Sequence, residues 1–223
     1  MQREELALRW PQFVLTIELD GACLQPPTDD QLSVLAQHAA ETSAVLPADK
    51  SHFVTWIQGR TPEEIAQQRI ARVRANRDLT SRPGWTLDLA VVVAGQPVGL
   101  QSLSGFDQWP HRRFVGTTSW LLAPFQGRGI GTCSRAAVLE LAFTHLRAES
   151  AKSWVLEDNG ASVAVSTKLG YHLIDRHDIT EHGYRYTEGV YQLERDVWLQ
   201  SPVRRQHLPA ITGVESLIEL LDR

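Results

Sequence analysis

Between Trp85 and Leu122 the chain holds three apolar runs separated by short polar breaks. Trp85–Val93 and Pro97–Leu103 flank Ala94-Gly95-Gln96, and Phe114–Leu122 follows the polar stretch Ser104–Arg113. Runs of this length, bounded by turn residues, predict strands, the first two joined as a hairpin. Upstream, Phe13–Leu19 is apolar and β-branched with polar interruptions, and predicts a strand ending at an Asp20-Gly21 turn. Thr28–Ala40 has helical spacing. Thr61-Pro62-Glu63-Glu64 marks a second helix start, because Thr61 can cap, Pro62 suits the first position and Glu64 completes a capping box. That helix should run to about Asp78.

Downstream, Ile130, Ser134, Ala137, Val138, Leu141, Ala142 and His145 recur at helical spacing. Lys152–Glu157 predicts a strand, and Ala161–Leu169 a short helix with Gly170 at its C-cap. Two further strands are expected over Tyr171–Asp178 and Tyr184–Glu194. These elements give an α/β (α+β) domain over residues 1–199, with a mostly antiparallel mixed sheet and one strand–helix–strand crossover. Residues 200–223 are expected as a polar linker and a C-terminal amphipathic helix. There Val214, Leu217, Ile218 and Leu221 form one stripe behind a Thr212/Glu215 capping box. A stripe so short is unstable alone. It should pack on the domain or on a partner chain, with a homodimer favoured.

Composition narrows the class. The chain has 223 residues, 43% of them hydrophobic, enough for a sizeable core. A formal charge of −4 lacks the basic footprint of a nucleic-acid binder. The densest basic run, Arg69, Arg72, Arg74 and Arg77, reads as a solvated helix face. No run approaches the roughly 18 apolar residues that cross a membrane, and Met1–Trp10 has no signal-peptide-like core. Two distant cysteines, Cys23 and Cys133, argue against a disulfide scaffold. The cytoplasm is the expected compartment, without nucleic-acid or membrane partners.

Candidate chemistry lies where Phe114–Leu122 runs through Pro124 into Gln126-Gly127-Arg128-Gly129-Ile130-Gly131 and a helix. The first N–H groups of a helix lack internal partners and sit at the positive end of its dipole, which makes an anion site. Glycines remove the β-carbons that would hold a phosphate off, and Arg128 can add a charge-assisted bond. No Gly-Lys-Ser/Thr tripeptide follows, as the Walker loop needs. The spacing is G-x-G-x-G, with Thr132 where the dinucleotide fingerprint needs its last glycine.

The pattern Gln126-x-x-Gly129-x-Gly131 resembles the pyrophosphate loop of the GNAT superfamily of N-acetyltransferases. A second segment strengthens the resemblance. Asp158-Asn159-Gly160-Ala161-Ser162, then Ser166 and Lys168-Leu169-Gly170-Tyr171, looks like the Asn-x-x-Ser…Leu-Gly-Phe/Tyr signature of the same superfamily. More narrowly it is similar to the branch of ribosomal-protein-alanine acetyltransferases, as are Ser119-Trp120-Leu121 and, upstream, Phe53 with Trp56. The resemblance spans roughly residues 10–198, with its specific core at 119–171.

The resemblance implies a GNAT fold with a central parallel pair of strands, Phe114–Leu122 and Lys152–Glu157, splayed at their ends and flanked by helices. It implies acetyl-CoA, or another acyl-CoA, as cosubstrate without a metal, and direct transfer to the amine of a protein, peptide or small molecule. Leu121 and Leu122 would bind pantetheine as an added strand, with Asn159 on its amide. Gln126, Gly127, Arg128, Gly129, Ile130, Gly131 and Thr132 would hold the pyrophosphate. A backbone N–H near Leu122 would hold the oxyanion. The proton donor to the leaving thiolate maps to Ser162, with Ser166 as second candidate, because the tyrosine that many relatives carry seven residues after the asparagine is Ser166 here. Glu157 is the candidate base, and Asp88 a weaker one; the acid that some relatives place before Ser-Trp is absent from Gly116-Thr117-Thr118. Trp56, Trp85, Trp109 and His111 are candidates for the acceptor pocket. His172, His177 and His182 alternate faces at five-residue spacing and predict no metal site. Cys133 reads as a small core residue and not a nucleophile. Two other functions are distinguishable: a non-catalytic acyl-CoA sensor, suggested by the absent tyrosine and acid, and a nucleotide-binding protein, disfavoured by the glycine spacing.

Overall fold

The three apolar runs form the middle of one sheet. The computed structural model describes residues 2–45, 60–80, 84–106, 108–181 and 184–222. In chain order its helices are α1 (Arg3–Arg9), α2 (Asp29–Ala40), α3 (Thr42–Val45), α4 (Pro62–Ala75), α5 (Ile130–Glu140), α6 (Gly160–Lys168), α7 (Arg195–Gln200), α8 (Pro202–Gln206) and α9 (Val214–Leu221). Its strands are β1 (Thr16–Leu19), β2 (Ala22–Gln25), β3 (Trp85–Val93), β4 (Gln96–Gly105), β5 (Phe114–Leu121), β6 (Ser150–Leu156), β7 (His172–Glu181), β8 (Tyr184–Glu194) and β9 (Ala210–Thr212). The sheet order is β7-β8-β6-β5-β4-β3-β2-β1-β9. Only β5 and β6 pair in parallel; the other neighbours are antiparallel. This is the mixed α/β sheet the hydrophobic pattern predicts.

Period-2 alternation sorts the sheet into two buried faces. Leu87, Leu89 and Val91 of β3 and Leu103 of β4 share a core with Ala136, Ala137 and Leu139 of α5. Ala90, Val92 and Leu100 face the other way, against Leu32 and Leu35 of α2 and Val73 of α4. Burial on both faces explains why these strands are nearly continuous apolar runs. The β3–β4 turn places Ala94 and Gly95 at φ +48° and +80°, consecutive left-handed residues suited to a tight hairpin. Thr61 Oγ1 accepts from the Glu64 N–H at 3.3 Å and Glu64 Oε2 from the Thr61 N–H at 2.8 Å, the predicted capping box.

Several local expectations change. Phe13 belongs to a 3₁₀ turn over Pro11–Val14, so β1 begins only at Thr16. The arginine run is not simply solvated. Arg77 is buried, pairs with Asp29 at 3.1 Å, donates to the Pro27 carbonyl at 3.1 Å and lies over the Trp10 and Phe13 rings. Burial and the neighbouring Arg72 lower the Arg69 pKa to about 10. Thr212 does not cap the tail helix. It pairs with Thr16 in the sheet, and Gly213, at φ +72°, takes the N-cap position.

The tail packs on its own chain. Val214, Leu217 and Leu221 are buried in the α5-side core. Trp109 Nε1 donates to the Leu221 carbonyl at 3.0 Å, and Arg113 pairs with Asp222 at 2.8 Å. A second anchor sits at the far end of α5. Glu140 accepts from Arg204 Nε and Nη2, both at 2.7 Å, from Trp198 Nε1 at 3.1 Å and from Thr144 Oγ1 at 2.7 Å. Burial would raise the Glu140 pKa, but the bonds from Arg204, Thr144 and Trp198 outweigh it and hold the carboxyl below its ordinary value. Its contribution is therefore present above the unfolded carboxyl pKa, about 4.3, and is lost as pH falls through the folded value. Leu217→Ala should lower unfolding free energy by about 2–4 kcal/mol in urea titration. Glu140→Gln should cost about 1–3 kcal/mol near neutrality and less at pH 3.

Candidate active site

The site begins where a parallel ladder stops. β5 and β6 are in register for three pairs, Phe114↔Ser150, Val115↔Ala151 and Gly116↔Lys152, and then separate. Beyond Gly116, β5 stays on β4, and β6 stays on β8 as far as Leu156↔Glu188. A cleft of about 450 Å³ opens beside the separated ends, walled by Ser119–Leu121 of β5, the first turns of α5, and Asn159 with Ser162 of α6.

Strand alternation decides which β5 groups face it. The Leu122 N–H donates to the Val98 carbonyl at 2.8 Å, and the Leu122 carbonyl accepts from Phe125 at 2.9 Å. Both backbone groups of Leu122 are thus occupied, so of the N–H groups expected near Leu122 for the oxyanion its own is already bonded. Neighbouring backbone groups along a strand point to opposite edges. Since Leu122 points to β4, Leu121 and Ser119 point to the open edge. The Leu121 carbonyl accepts from Gln126 Nε2 at 2.8 Å, and the same amide donates to the Val45 carbonyl at 2.5 Å. Gln126 therefore staples the glycine loop to β5 and to α3.

Gly127 and Gly129 adopt φ +71° and +81°, which a β-carbon would strain. Gly129 is the N-cap of α5 and offers no side chain to the first N–H groups, which leaves them for an anion. Gly131 and Thr132 line the cleft. Arg128 instead lies over the Phe125 ring at 5.6 Å, and neither it nor Ile130 is part of the cleft wall. Asn159 caps α6, its Oδ1 accepting from the Ser162 N–H at 3.3 Å, and lines the cleft as well.

The three proposed proton carriers are placed differently. Ser162 is half-buried on the cleft wall. Ser166 is fully buried behind it and accepts from Arg135 Nη1 at 3.1 Å. Glu157 lies outside the lining and pairs with Arg176 at 2.5 Å. Asp88 is enclosed on β3, two strands from β5. Burial pushes its carboxyl up, opposed by bonds from Ser102 at 2.5 Å and Asn76 at 2.7 Å. Trp85 and Trp109 pack edge to face at 5.3 Å, Trp109 is bonded to the α9 carbonyl of Leu221, and neither lines the cleft. His111 is exposed. Phe53, Trp56 and His182 lie outside the described residues. His177 pairs with Glu188 at 3.1 Å. Cys133 Sγ lies 3.5 Å from His207 Nδ1, and burial pushes its thiol up.

Sequence reasoning missed Ser119 as a wall residue and Arg135 altogether. Arg135 is 4% exposed, yet it lines the cleft. It donates to Ser119 Oγ from Nη2 at 3.1 Å, and from Nη1 to Ser166 Oγ at 3.1 Å and Ser153 Oγ at 3.5 Å. It thereby bridges β5, β6 and α6 at the divergence. Its spacing of four residues from Gly131 sets both on one helix face, but nothing in the sequence marks the guanidinium as buried.

Comparison with known proteins bears on what this cleft serves. The acetyltransferase (GNAT) domain family matches residues 23–172. The chain belongs to the GNAT acetyltransferase family. Similar solved structures include RimJ of Mycobacterium smegmatis in complex with CoA-disulfide, at 15% identity and TM-score 0.66, covering 92% of each chain. The ribosomal-protein-S5-alanine acetyltransferase of Vibrio fischeri aligns at 16% identity and TM-score 0.61, covering 82% of this chain and 98% of its own. A GNAT-family acetyltransferase of Bacillus anthracis aligns at 11% identity and TM-score 0.64, covering 81% and 99%. Family membership makes this protein an acyl-CoA-dependent N-acyltransferase, and the likenesses show that its fold is that of the family.

Gly131 gives the cleaner test of the loop. Its φ is not positive, and a β-carbon there would meet only Leu121 Cδ1, at an ordinary 3.6 Å. Gly131→Val should therefore fold normally yet raise the Kd for coenzyme A about tenfold or more, measured by calorimetry with the melting temperature as control. Wild-type affinity in the folded variant would remove the loop from the site.

Proposed function

We propose that this enzyme transfers an acetyl or other short acyl group from acyl-CoA to a primary amine inside the β5–β6 cleft. The observation that carries this reading is a parallel pair that parts after three residues beside an α5 N-terminus with no side-chain cap. Pyrophosphate is assigned to the amide groups of Gly127–Thr132, and pantetheine to the open β5 edge at Ser119 and Leu121 as an added strand. Asn159 Nδ2 is left for the pantetheine amide while its Oδ1 caps α6.

The amine attacks the thioester carbonyl from its neutral form. The developing oxyanion is assigned to an edge-facing N–H of Ser119 or Leu121. As the C–S bond breaks, Ser162 donates a hydrogen bond to the thiolate, which ends as the thiol. Ser166, already accepting from Arg135, supports this wall from behind. Glu157 collects the amine proton through solvent, beside its partner Arg176. The acceptor is an amine of a protein, peptide or small molecule; the protein case is favoured by the fold neighbours named for ribosomal-protein acetylation. The same reading places the enzyme in the cytoplasm, with neither nucleic acid nor membrane as partner. Exposed side chains such as Val197 and Leu208, not the covered tail stripe, would supply a homodimer contact.

Thiol release from acetyl-CoA with a panel of peptides and amines tests the reading. Ser162→Ala should lower kcat about a hundredfold with little change in cofactor affinity, the low end for general-acid help. Ser166→Ala should do less. Equal rates for Ser162→Ala and wild type, with chemistry shown to limit turnover, would take Ser162 out of the mechanism.

A further inference from the structure

Arg135 is more than the cleft needs as an acetyl site. The side chain is 96% removed from solvent, as its 4% exposure shows, and its recorded partners are three hydroxyls, none of them charged. Its Nε–H is buried and has no partner among the described residues. A buried cation normally sits beside a carboxylate, because leaving water costs several kcal/mol that neutral partners only partly offset. Glu157, which follows β6 and lies outside the cleft lining, is already held by Arg176. The α5 carboxylate, Glu140, is held by Arg204 at the other end of the helix.

The cosubstrate phosphates do not supply the missing charge. They are assigned to the α5 N-terminus, and Arg135 lies six positions beyond the Gly129 cap, roughly 9 Å along the axis. Its guanidinium is turned instead to the place where β5 and β6 part, tethered to Ser119 on one strand and Ser153 on the other. Ser119 also bears one of the two edge-facing N–H groups assigned to the thioester carbonyl. Serine Oγ is two bonds from Cα, so Nη2 lies within roughly 6 Å of that N–H. Two methylenes and a carboxyl carbon cover that gap.

We propose that Arg135 receives a carboxylate at the far end of the transferred acyl group, so that the preferred donor is a dicarboxylic acid monothioester of coenzyme A, of succinyl length. This rests on the acyltransferase reading above. The ammonium form of the acceptor first loses a proton to solvent; the neutral amine nitrogen then forms a bond to the thioester carbon as the C–S bond breaks, and the second proton that the nitrogen loses is balanced by the one that the sulfur takes up to leave as the thiol. The distal carboxylate stays ionised on Arg135 throughout, so a position that carried a positive ammonium in the free acceptor carries a negative carboxylate in the product. An uncharged acyl group of equal length would bury its terminal methyl against an unpaired cation, which gives selectivity by penalty as well as by attraction.

Equilibrium binding needs no acceptor and tests this directly. Calorimetry with coenzyme A, acetyl-CoA, butyryl-CoA and succinyl-CoA should show succinyl-CoA bound at least about tenfold more tightly than butyryl-CoA. Arg135→Gln should bring the ratio of succinyl-CoA to butyryl-CoA affinity, read within the variant itself, close to one, and Arg135→Lys should keep part of the difference. Equal affinity of the wild type for succinyl-CoA and butyryl-CoA overturns the inference while leaving the enzyme an acyltransferase. A variant that weakens coenzyme A and all its thioesters alike also overturns it, since Arg135 would then serve the cofactor body. Failure of every ligand, coenzyme A included, would overturn the proposed function itself. If Arg135→Gln does not fold, the wild-type comparison alone decides.

Discussion

Everything at this site depends on a parallel ladder that is allowed to last for only three residue pairs. Strand pairing satisfies backbone N–H and C=O groups, and a strand that loses its neighbour leaves them unpaired. After Gly116 and Lys152 the two strands continue on different partners, β5 on β4 and β6 on β8. The inner edge of β5 is thereby left with groups that water or an extended ligand must satisfy. That edge is a binding surface because the fold does not complete it. Few side chains need special chemistry for this, which is why the site consists of glycines, serines and backbone.

Holding the strands apart also needs a cause. Arg135 supplies one, with one guanidinium bonded to hydroxyls on both strands and on α6. Below it, Thr117 Oγ1 and Tyr171 OH meet at 3.1 Å and close the apex with a second polar contact. A wedge of hydrocarbon would have invited the strands to collapse onto it; a rigid planar fork with fixed donor directions keeps a set separation. The helix that carries the wedge is itself fixed at its other end. There the bidentate Arg204 neutralises Glu140 while drawing α7 and α8 over the core, and the helical backbone runs on through Leu141–His145. One helix thus has an N-terminus without a side-chain cap and an anchor to the rest of the protein at Glu140.

Much of this was legible in the chain. The runs at 85–93 and 184–194 appear as strands with those bounds because long apolar or alternating segments between turn residues have few other solutions. Gln126–Gly131 was readable because glycine, capless helix start and preceding strand all agree. Short strands were not: Ala22–Gln25 and Ala210–Thr212 carry too few residues for a period, and they exist because β1 offers edges on both sides. Thr212 and Glu215 spelled a capping box, yet sheet pairing took Thr212 first. Leu122 was misread because its sequence neighbour faces the cleft and it does not. A one-residue step along a strand reverses direction, and only the Val98 bond shows which parity holds.

Arg135 was illegible for a different reason. A single arginine in a helix rich in alanine and leucine reads as the polar face, and composition cannot distinguish a solvated guanidinium from a buried one. The distinction lies in what surrounds it, three serines contributed by positions 119, 153 and 166, far apart in sequence. Each serine alone is an ordinary small residue. Gathered around one cation, they give it hydrogen bonds but no charge. Water is excluded from the guanidinium, so its field is weakly screened and reaches into the cleft. On the proposed mechanism that field would favour the neutral amine over the ammonium ion, and negative charge on the oxyanion and the departing sulfur. A cation without a counter-ion among the described residues is thus a cost to folding, and on the proposal above it is offset wherever the reaction, or the reacting acyl group, brings negative charge to it.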